Sequence, residues 1–359
     1  MLIRFKKKRL KILYIFFVFL SLTLFFFSTD KAEARAFSIN NIEISKPFEM
    51  NFDKNKVIDE GFTKAFFELI SLITISSDRE KIKNIKLNQI KSMIDSFSIK
   101  EEKFINEIYY VNLGVSFNKK EIFNYLEKKN IFPSIPIKKK VLFIPVIIEE
   151  NNEDLSIFSN NKFFTEWNNY NETYHLIEYL LPTEDLEDLN LIKKKYDFIE
   201  EYDFKEITSK YNLNDSIIAL IFKNEKTIRI LSRITVNDKV VLKNQSFLNI
   251  DINNTDQMKN IINDLKIVYE DYWKNFNEIN TSIKLPIYIK IKGFDSLKVS
   301  NFEETLDKTN LIFDFFILKF DKDFIHYQVT FNGTRDNFLK LMGNKNFIFN
   351  TQNKTWILE

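Results

Sequence analysis

The chain has no cysteine in 359 residues. That absence excludes disulfides, thiolate catalysis and a lipid-modified cysteine behind a leader. Glycine is nearly as scarce: the five are Gly61, Gly114, Gly293, Gly333 and Gly343, and no two lie within nine residues of each other. A phosphate-cradling loop or a dinucleotide fingerprint needs several glycines in one short run, so neither can be written here. Histidine occurs twice, whereas general-base triads and most zinc sites draw on histidines in convergent positions. His326 alternates with Gln328 and Thr330, the polar set of a strand, and is expected to face solvent; His175 opens the apolar run HLIEYLL. The residues call for no catalytic group, no cofactor and no metal of a common kind.

The clearest positive feature is the N-terminus. MLIRFKKKRLK, residues 1–11, holds six basic groups; ILYIFFVFLSLTLFFF, residues 12–27, is uncharged; and STDKAEARA then supplies Ala34-Arg35-Ala36. This is the layout of a secretory signal peptide over 1–36, cleaved after Ala36 to start the mature chain at Phe37. The alternative is an uncleaved inner-membrane anchor at 12–27, although its sixteen residues fall short of the roughly 20 that a spanning helix needs. Both readings export the body to the periplasm and leave the basic flank behind. Eight Lys/Arg and two Asp/Glu leave with the leader, so the precursor's +2 becomes −4 in the mature chain. A slightly acidic body without a basic stripe lacks the footprint of a nucleic-acid binder.

The remainder is long enough for several cores, and 45% hydrophobic content is that of a globular protein. No repeat period and no low-complexity tract interrupts it. A first unit spans 37–135. SINNIEIS reads as a strand; Phe62, Ala65, Phe66, Leu69, Ile70 and Ile73 form one helical stripe; a lysine-rich helix is expected over 79–96; YYVNLGVSFN alternates as a strand; and KKEIFNYLEKKN closes as a helix. FPSIPIKKK, with Pro133 and Pro136, marks the boundary. A second unit, 140–277, opens on VLFIPVII, the continuous apolar run of a strand covered on both faces. Pro145 within it cannot donate to a ladder and predicts an edge or bulge. Helices near FFTEWNNY, LEDLNLIKKK and FKEITSKYN alternate with the strands HLIEYLLP and SIIALIF, a βαβαβ-like order. A hairpin then turns at Asn237-Asp238, and a last helix puts Met258, Ile261, Ile262, Leu265, Val268, Tyr269, Tyr272, Trp273 and Phe276 on one face. The third unit, 285–359, reads strand, helix, strand, strand, helix, strand, with Thr334 as a helix cap after Asn332-Gly333. The expected architecture is therefore α/β and α+β: three small α/β domains, the last a ferredoxin-like split βαβ sandwich.

One stretch looks chemical. LPTEDLEDLN, residues 181–190, carries Glu184, Asp185, Glu187 and Asp188 within five positions. At the front of a helix, free N–H groups and the positive end of the dipole favour carboxylates; Thr183 or Asp185 can cap it, and Lys193, Lys194 and Lys195 suit the other end. The alternative, a calcium or magnesium site, wants oxygens converging from a loop with a tight glycine-type turn. The stretch is also a candidate interaction surface, being placed behind a strand's carboxyl end. Trp167, in TEWNNYNETY, is the one tryptophan with a polar neighbourhood and is expected to be exposed beside it. Glu149-Glu150 and Glu200-Glu201 read as solvated faces.

Taken in order, FTKAFFELI, YYVNLGVSFNKKEIFNYLEKKNI, VLFIPVII, LPTEDLEDL, YNLNDSIIALI and IYIKIKGFDSLKVSNFEETLDK resemble an uncharacterised family of exported proteobacterial proteins, domain-of-unknown-function family two thousand sixty-six. The chain departs from that family's pattern around the strand opening the middle unit, where IPIKKKVLFIPV stands. The resemblance implies no activity, cofactor or catalytic residue. The middle unit also resembles in layout the N-terminal αβ domain of the periplasmic protein TolB and of penicillin-binding-protein activators, modules that bind other envelope proteins. What this implies is a non-enzymatic periplasmic protein acting by protein contacts in envelope assembly or maintenance. The alternative is an envelope hydrolase or divalent-metal-dependent binder using the Glu184–Asp188 cluster.

Overall fold

A computed structural model describes residues 37–359 apart from 152–153, 171–174, 225–226 and 294; the signal peptide expected over 1–36 lies outside the described residues. The architecture is mixed α/β, with ten α-helices and three sheets of three, six and five strands among the described residues.

The first sheet takes β1 (Ser38–Pro47), β2 (Ile94–Ile105) and β3 (Ile108–Phe117) in the order β1-β3-β2, all antiparallel. Helix α1 (Lys54–Ile73) lays the predicted stripe on it, opened by Asp53, whose side chain accepts from the Asn55 N–H. Gly61 suits the close approach: a Cβ there would run into the Leu113 side chain on β3. The lysine-rich helix expected over 79–96 is not formed. Its place is taken by α2 (Ser76–Arg79), a turn, α3 (Leu87–Ser92) and the first residues of β2. Lys86 has extended backbone (ψ 144°), which breaks the helical path, and Ile82, Ile90 and Met93 reach the core from separate turns. Helix α4 (Lys119–Lys128) starts at Asn118, whose side chain accepts from the Glu121 N–H.

The second sheet has β4 (Lys139–Glu149) at its centre. β6 (Ile177–Leu180) and β7 (Ser216–Lys223) flank it in parallel, β5 (Asp154–Ser156) pairs antiparallel with its end, and β8 (Thr227–Val236) and β9 (Lys239–Leu248) extend the β7 side as an antiparallel hairpin. The turn at Asn237-Asp238 has positive φ at both positions (46° and 62°), the type I′ geometry that suits a two-residue hairpin. One face of β4 gives Val141, Phe143 and Ile147 to a core with α5 (Lys162–Glu166) and α8 (Thr255–Phe276). The other gives Leu142, Ile144, Val146 and Ile148 to α6 (Leu186–Lys194) and α7 (Lys205–Thr208). Pro145 falls between the end of β6 pairing at Leu142 and the start of β5 pairing at Ile147, which is the local edge its missing N–H requires. The α8 stripe is as predicted at Met258, Ile261, Ile262, Leu265, Tyr269 and Trp273, but Phe276 is exposed.

The third sheet runs β11 (Ile312–Phe320), β12 (Phe324–Phe331), β10 (Leu285–Lys292), β14 (Trp356–Leu358), β13 (Phe349–Asn350), covered by α9 (Ser296–Lys308) and α10 (Arg335–Gly343). The expected order is present with one change. The final strand is a hairpin, and β14 lies parallel to β10, pairing Ile289 with Trp356, so that β13 becomes the edge. Trp356 is buried against Phe338 and Phe349, and that burial draws β14 inward.

With glycine so scarce, asparagine takes the left-handed positions: seven of the eleven described positive-φ residues are Asn, and none is Gly. The units are tied together by the segments between them. Ile279 is buried in the first core and its N–H donates to Pro133 O, the Ser134 N–H donates to Ile73 O, Lys284 pairs with Glu127, and Asn332 Nδ2 donates to Ile283 O. Among the described residues no helix is long and apolar enough to cross a membrane.

Candidate functional site

The acidic stretch resolves into a helix start. Asp185 is the N-cap of α6, its Oδ1 accepting from the Glu187 N–H at 2.8 Å. Lys210, from the turn after α7, reaches back to Asp185 Oδ2 at 3.0 Å and Asp188 Oδ1 at 2.6 Å. Those bonds hold the Asp185 carboxyl below the usual carboxylate range, Lys210 first and the Glu187 N–H second. Lys210 is raised above the ordinary lysine value by its bonds to the same two carboxylates. Glu184 and Glu187 are exposed, but Asp188 is buried, which removes it from any interaction surface. The physical reason is a partner 22 residues further along, which the local sequence does not announce.

Asp188 borders a small space beside β4, on the face that α6 covers. After β4 the chain crosses to β6 by α5 on one face; after β6 it crosses to β7 by α6 and α7 on the other, so β6 and β7 flank β4 and the strand order reverses between β4 and β7. The space beside Asp188 is nearly filled. Asn161, fully buried, donates Nδ2 to Pro145 O (3.0 Å) and Ser156 O (3.1 Å) and accepts from the Phe163 and Phe164 N–H groups. Phe158, Phe164 and Pro182 close the rest and leave a space of about 10 Å³. That is about the size of one water.

Trp167 is fully buried, contrary to the exposure its neighbours imply. It stacks on Phe143 at 3.8 Å between ring centroids, with Tyr179 edge-on at 5.2 Å. A single 3-10 turn points its polar neighbours outward and the indole inward. Trp167 is thus a core residue and not part of a surface.

Sequence reasoning missed a line of buried charge on α8. Lys266, Glu270 and Lys274 follow each other at four-residue spacing, beside the apolar stripe, and each is buried. Lys266 Nζ donates to Tyr170 O at 2.8 Å and lies 5.5 Å from the Trp167 ring. Glu270 Oε1 accepts from the Leu176 and Ile177 N–H groups at 2.9 and 2.8 Å, with His175 Nδ1 at 3.7 Å. Lys274 Nζ donates to Ser71 O of α1 at 2.6 Å and stands 3.7 Å from Glu270 Oε2. Burial acts to raise the Glu270 carboxyl, but His175, Lys274 and the Ile177 N–H outweigh it and hold the group low. Burial dominates at Lys274 and pulls it down to about 8. Next to it, Asp271 accepts from the N–H and hydroxyl of Ser76. The line therefore fastens the first unit to the second. The four-residue repeat of Lys, Glu and Lys was its only sequence signal. His326 is held by Asp321 at 2.6 Å, and this contact brings the Asp321 carboxyl down to about 2; the ring is 17% exposed rather than solvent-facing.

The open surface lies elsewhere. Strand β2 is an edge with Phe97, Ile99, Phe104 and Ile105 exposed; β9 is an edge with Val240, Leu242 and Leu248 exposed; β11 is an edge with Phe316, Ile317, Leu318 and Phe320 exposed. At the end of β2 an open cleft of about 440 Å³ is lined by Phe48, Phe52, Phe104 and Tyr109 beside the Lys54–Glu102 ion pair. Among the described residues no group of three or more His, Cys, Asp or Glu is placed to hold a metal ion.

No family model matches the chain, and no curated protein matches it. A solved structure described as "Crystal structure of uncharacterized protein" is similar over 40% of this chain and 95% of that chain, with 8% identity and a TM-score of 0.16.

Proposed function

We propose that the chain is an exported, non-enzymatic protein that binds other proteins of the cell envelope through the free edges of its sheets. The observation that carries this reading is the distribution of exposed apolar side chains. They gather on β2, β9 and β11, where unpaired backbone groups also face outward. Edge strands of this kind accept an added strand, with main-chain bonds for affinity and alternate side chains for specificity. The leader at 1–36 and the resemblance to the uncharacterised exported family and the TolB-type domain support the compartment and the mode of action. In this reading Glu184 and Glu187 are the solvated front of a helix.

Photocrosslinking in the intact cell tests it. A photoreactive residue at Leu242 on β9 or Phe316 on β11 should form adducts with a defined envelope protein, and a lysine placed at the neighbouring edge position should abolish them. Adducts formed from Glu187 but from neither edge position would overturn the reading.

A further inference from the structure

Strand β2 has a particular symmetry. Its register on β3 slips between Ile99 and Glu101, so Lys100 and Glu101 share one partner, Asn112, in a bulge. On either side of that bulge Phe97, Ile99, Glu102 and Phe104 face Val115, Leu113, Val111 and Tyr109, all buried, and therefore lie on the helix-covered face. Directly opposed residues of an antiparallel pair share a face. Only one antiparallel register of β2 on a second β2 keeps all four on that face: Phe97 opposite Phe104 and Ile99 opposite Glu102 of the second copy.

We infer that β2 pairs with β2 of a second copy of this chain in that register, joining two three-stranded sheets into one of six. This deepens the reading of the free edges as contact surfaces by naming the occupant of one of them. Charge complementarity supports the choice. Lysines and bulges commonly keep an edge unpaired, but here the two bulges meet, and Lys100 of each copy stands opposite Glu101 of the other. Aromatic surface is matched as well. Phe97, 51% exposed and already edge-on to Phe62, comes to lie beside Phe104, which is 57% exposed and forms a wall of the cleft with Phe48. The cleft then receives Phe97 of the second copy. The interface is isologous and closes as a dimer, so it offers no route to a fibre.

The absence of cysteine makes the test clean. In this register Ser98 opposes Lys103 of the second copy, whereas Ser98 lies roughly 16 Å from its own counterpart at about 3.3 Å per residue, beyond disulfide reach. In the full chain expressed in cells, the double variant Ser98→Cys/Lys103→Cys should give covalent dimers on oxidation, and neither single variant should. In that background Lys100→Glu places like charges opposite each other and should cut dimer yield about tenfold or more; adding Glu101→Lys should restore it. Matching thermal midpoints separate a lost contact from a lost fold, and the restoring swap guards against misfolding of the single one. Absence of covalent dimers, or dimers indifferent to the swaps, overturns the self-pairing. Capture of a different envelope protein at Ser98→Cys also overturns it, while leaving the reading of the edge as a contact surface intact.

Discussion

Helices α6 and α8 pack on opposite faces of the same sheet, and both carry charge, but they use it in opposite ways. α6 gathers four carboxylates at its front, where two are solvated and the other two, the cap Asp185 and the buried Asp188, meet Lys210. α8 spaces Lys266, Glu270 and Lys274 along a buried line among apolar residues. The conspicuous cluster is a local device for the helix terminus. The inconspicuous one is tertiary, since its partners Tyr170, Leu176, Ile177 and Ser71 come from other elements and from another unit. Charge density along the chain therefore says little about how much a charge matters; burial and the number of backbone groups it satisfies say more.

The strongest way to break this comparison is to remove the centre of the buried line. Glu270→Ala leaves the Leu176 and Ile177 N–H groups without an acceptor and Lys274 without its carboxylate. A loss of about 3–5 kcal/mol in unfolding free energy is expected, the range for removing one partner of a buried pair. Glu270→Gln keeps an amide oxygen for the two N–H groups and should lose less. Urea midpoints at constant slope measure both, and a Glu270→Ala midpoint no lower than that of a surface variant of α6 would refute the contrast.

A pH series sharpens it. The folded-state pKa of Lys274 is about 8, below the ordinary 10.5. Between those values the unfolded chain binds more protons than the folded one, so this group makes stability rise with pH across that window. Below about pH 8 both states are protonated, and the cost of burying the ammonium is constant. Lys119, also drawn down to about 8 by burial, contributes a slope of the same sign. Lys274→Met should therefore flatten, without abolishing, the rise in thermal midpoint between pH 8 and 10. An unchanged slope would place Lys274 in contact with water and remove it from the buried line.

The fold was legible where one period ran unbroken. The α1 stripe, the apolar run of β4, the Asn237-Asp238 turn and the strand order of the third unit up to α10 all follow from spacing and turn chemistry. It was not legible where an element sits at an edge. β2 is exposed over nearly its whole length, and its bulge at Lys100 shifts Glu102 and Phe104 onto the face of Phe97 and Ile99, which erases the alternation that marks a strand. The lysine-rich residues before it then read as one helix. At the candidate site, capping by Asp185 could be read locally, but burial of Asp188 depends on Lys210, and burial of Trp167 depends on Phe143, Tyr179 and Tyr269. Those are tertiary partners that no window around either residue contains.

On the α6 side the effects should be smaller and should divide by role. Asp185→Ala removes the side-chain acceptor for the Glu187 N–H and one contact of Lys210. It should lower the midpoint by less than Glu270→Ala, and Asp185→Asn or Asp185→Ser should recover most of the loss because both remain good caps. Failure of Asn and Ser to rescue would mean that the charge opposite Lys210, rather than the cap, is what counts.

The smallest effect belongs to the residues that look most chemical. Glu184 and Glu187 are exposed, and Glu184→Gln/Glu187→Gln should change stability by no more than about 0.5 kcal/mol, the usual span for surface positions. Calcium tests the same point from the other direction. A bound ion stabilises the folded state in proportion to the logarithm of its excess over the dissociation constant. With Lys210 already bridging Asp185 and Asp188, millimolar calcium should leave the thermal midpoint of the native chain unmoved. A calcium-dependent rise that the double variant loses would make the helix front a cation site and reverse the assignment of roles between α6 and α8.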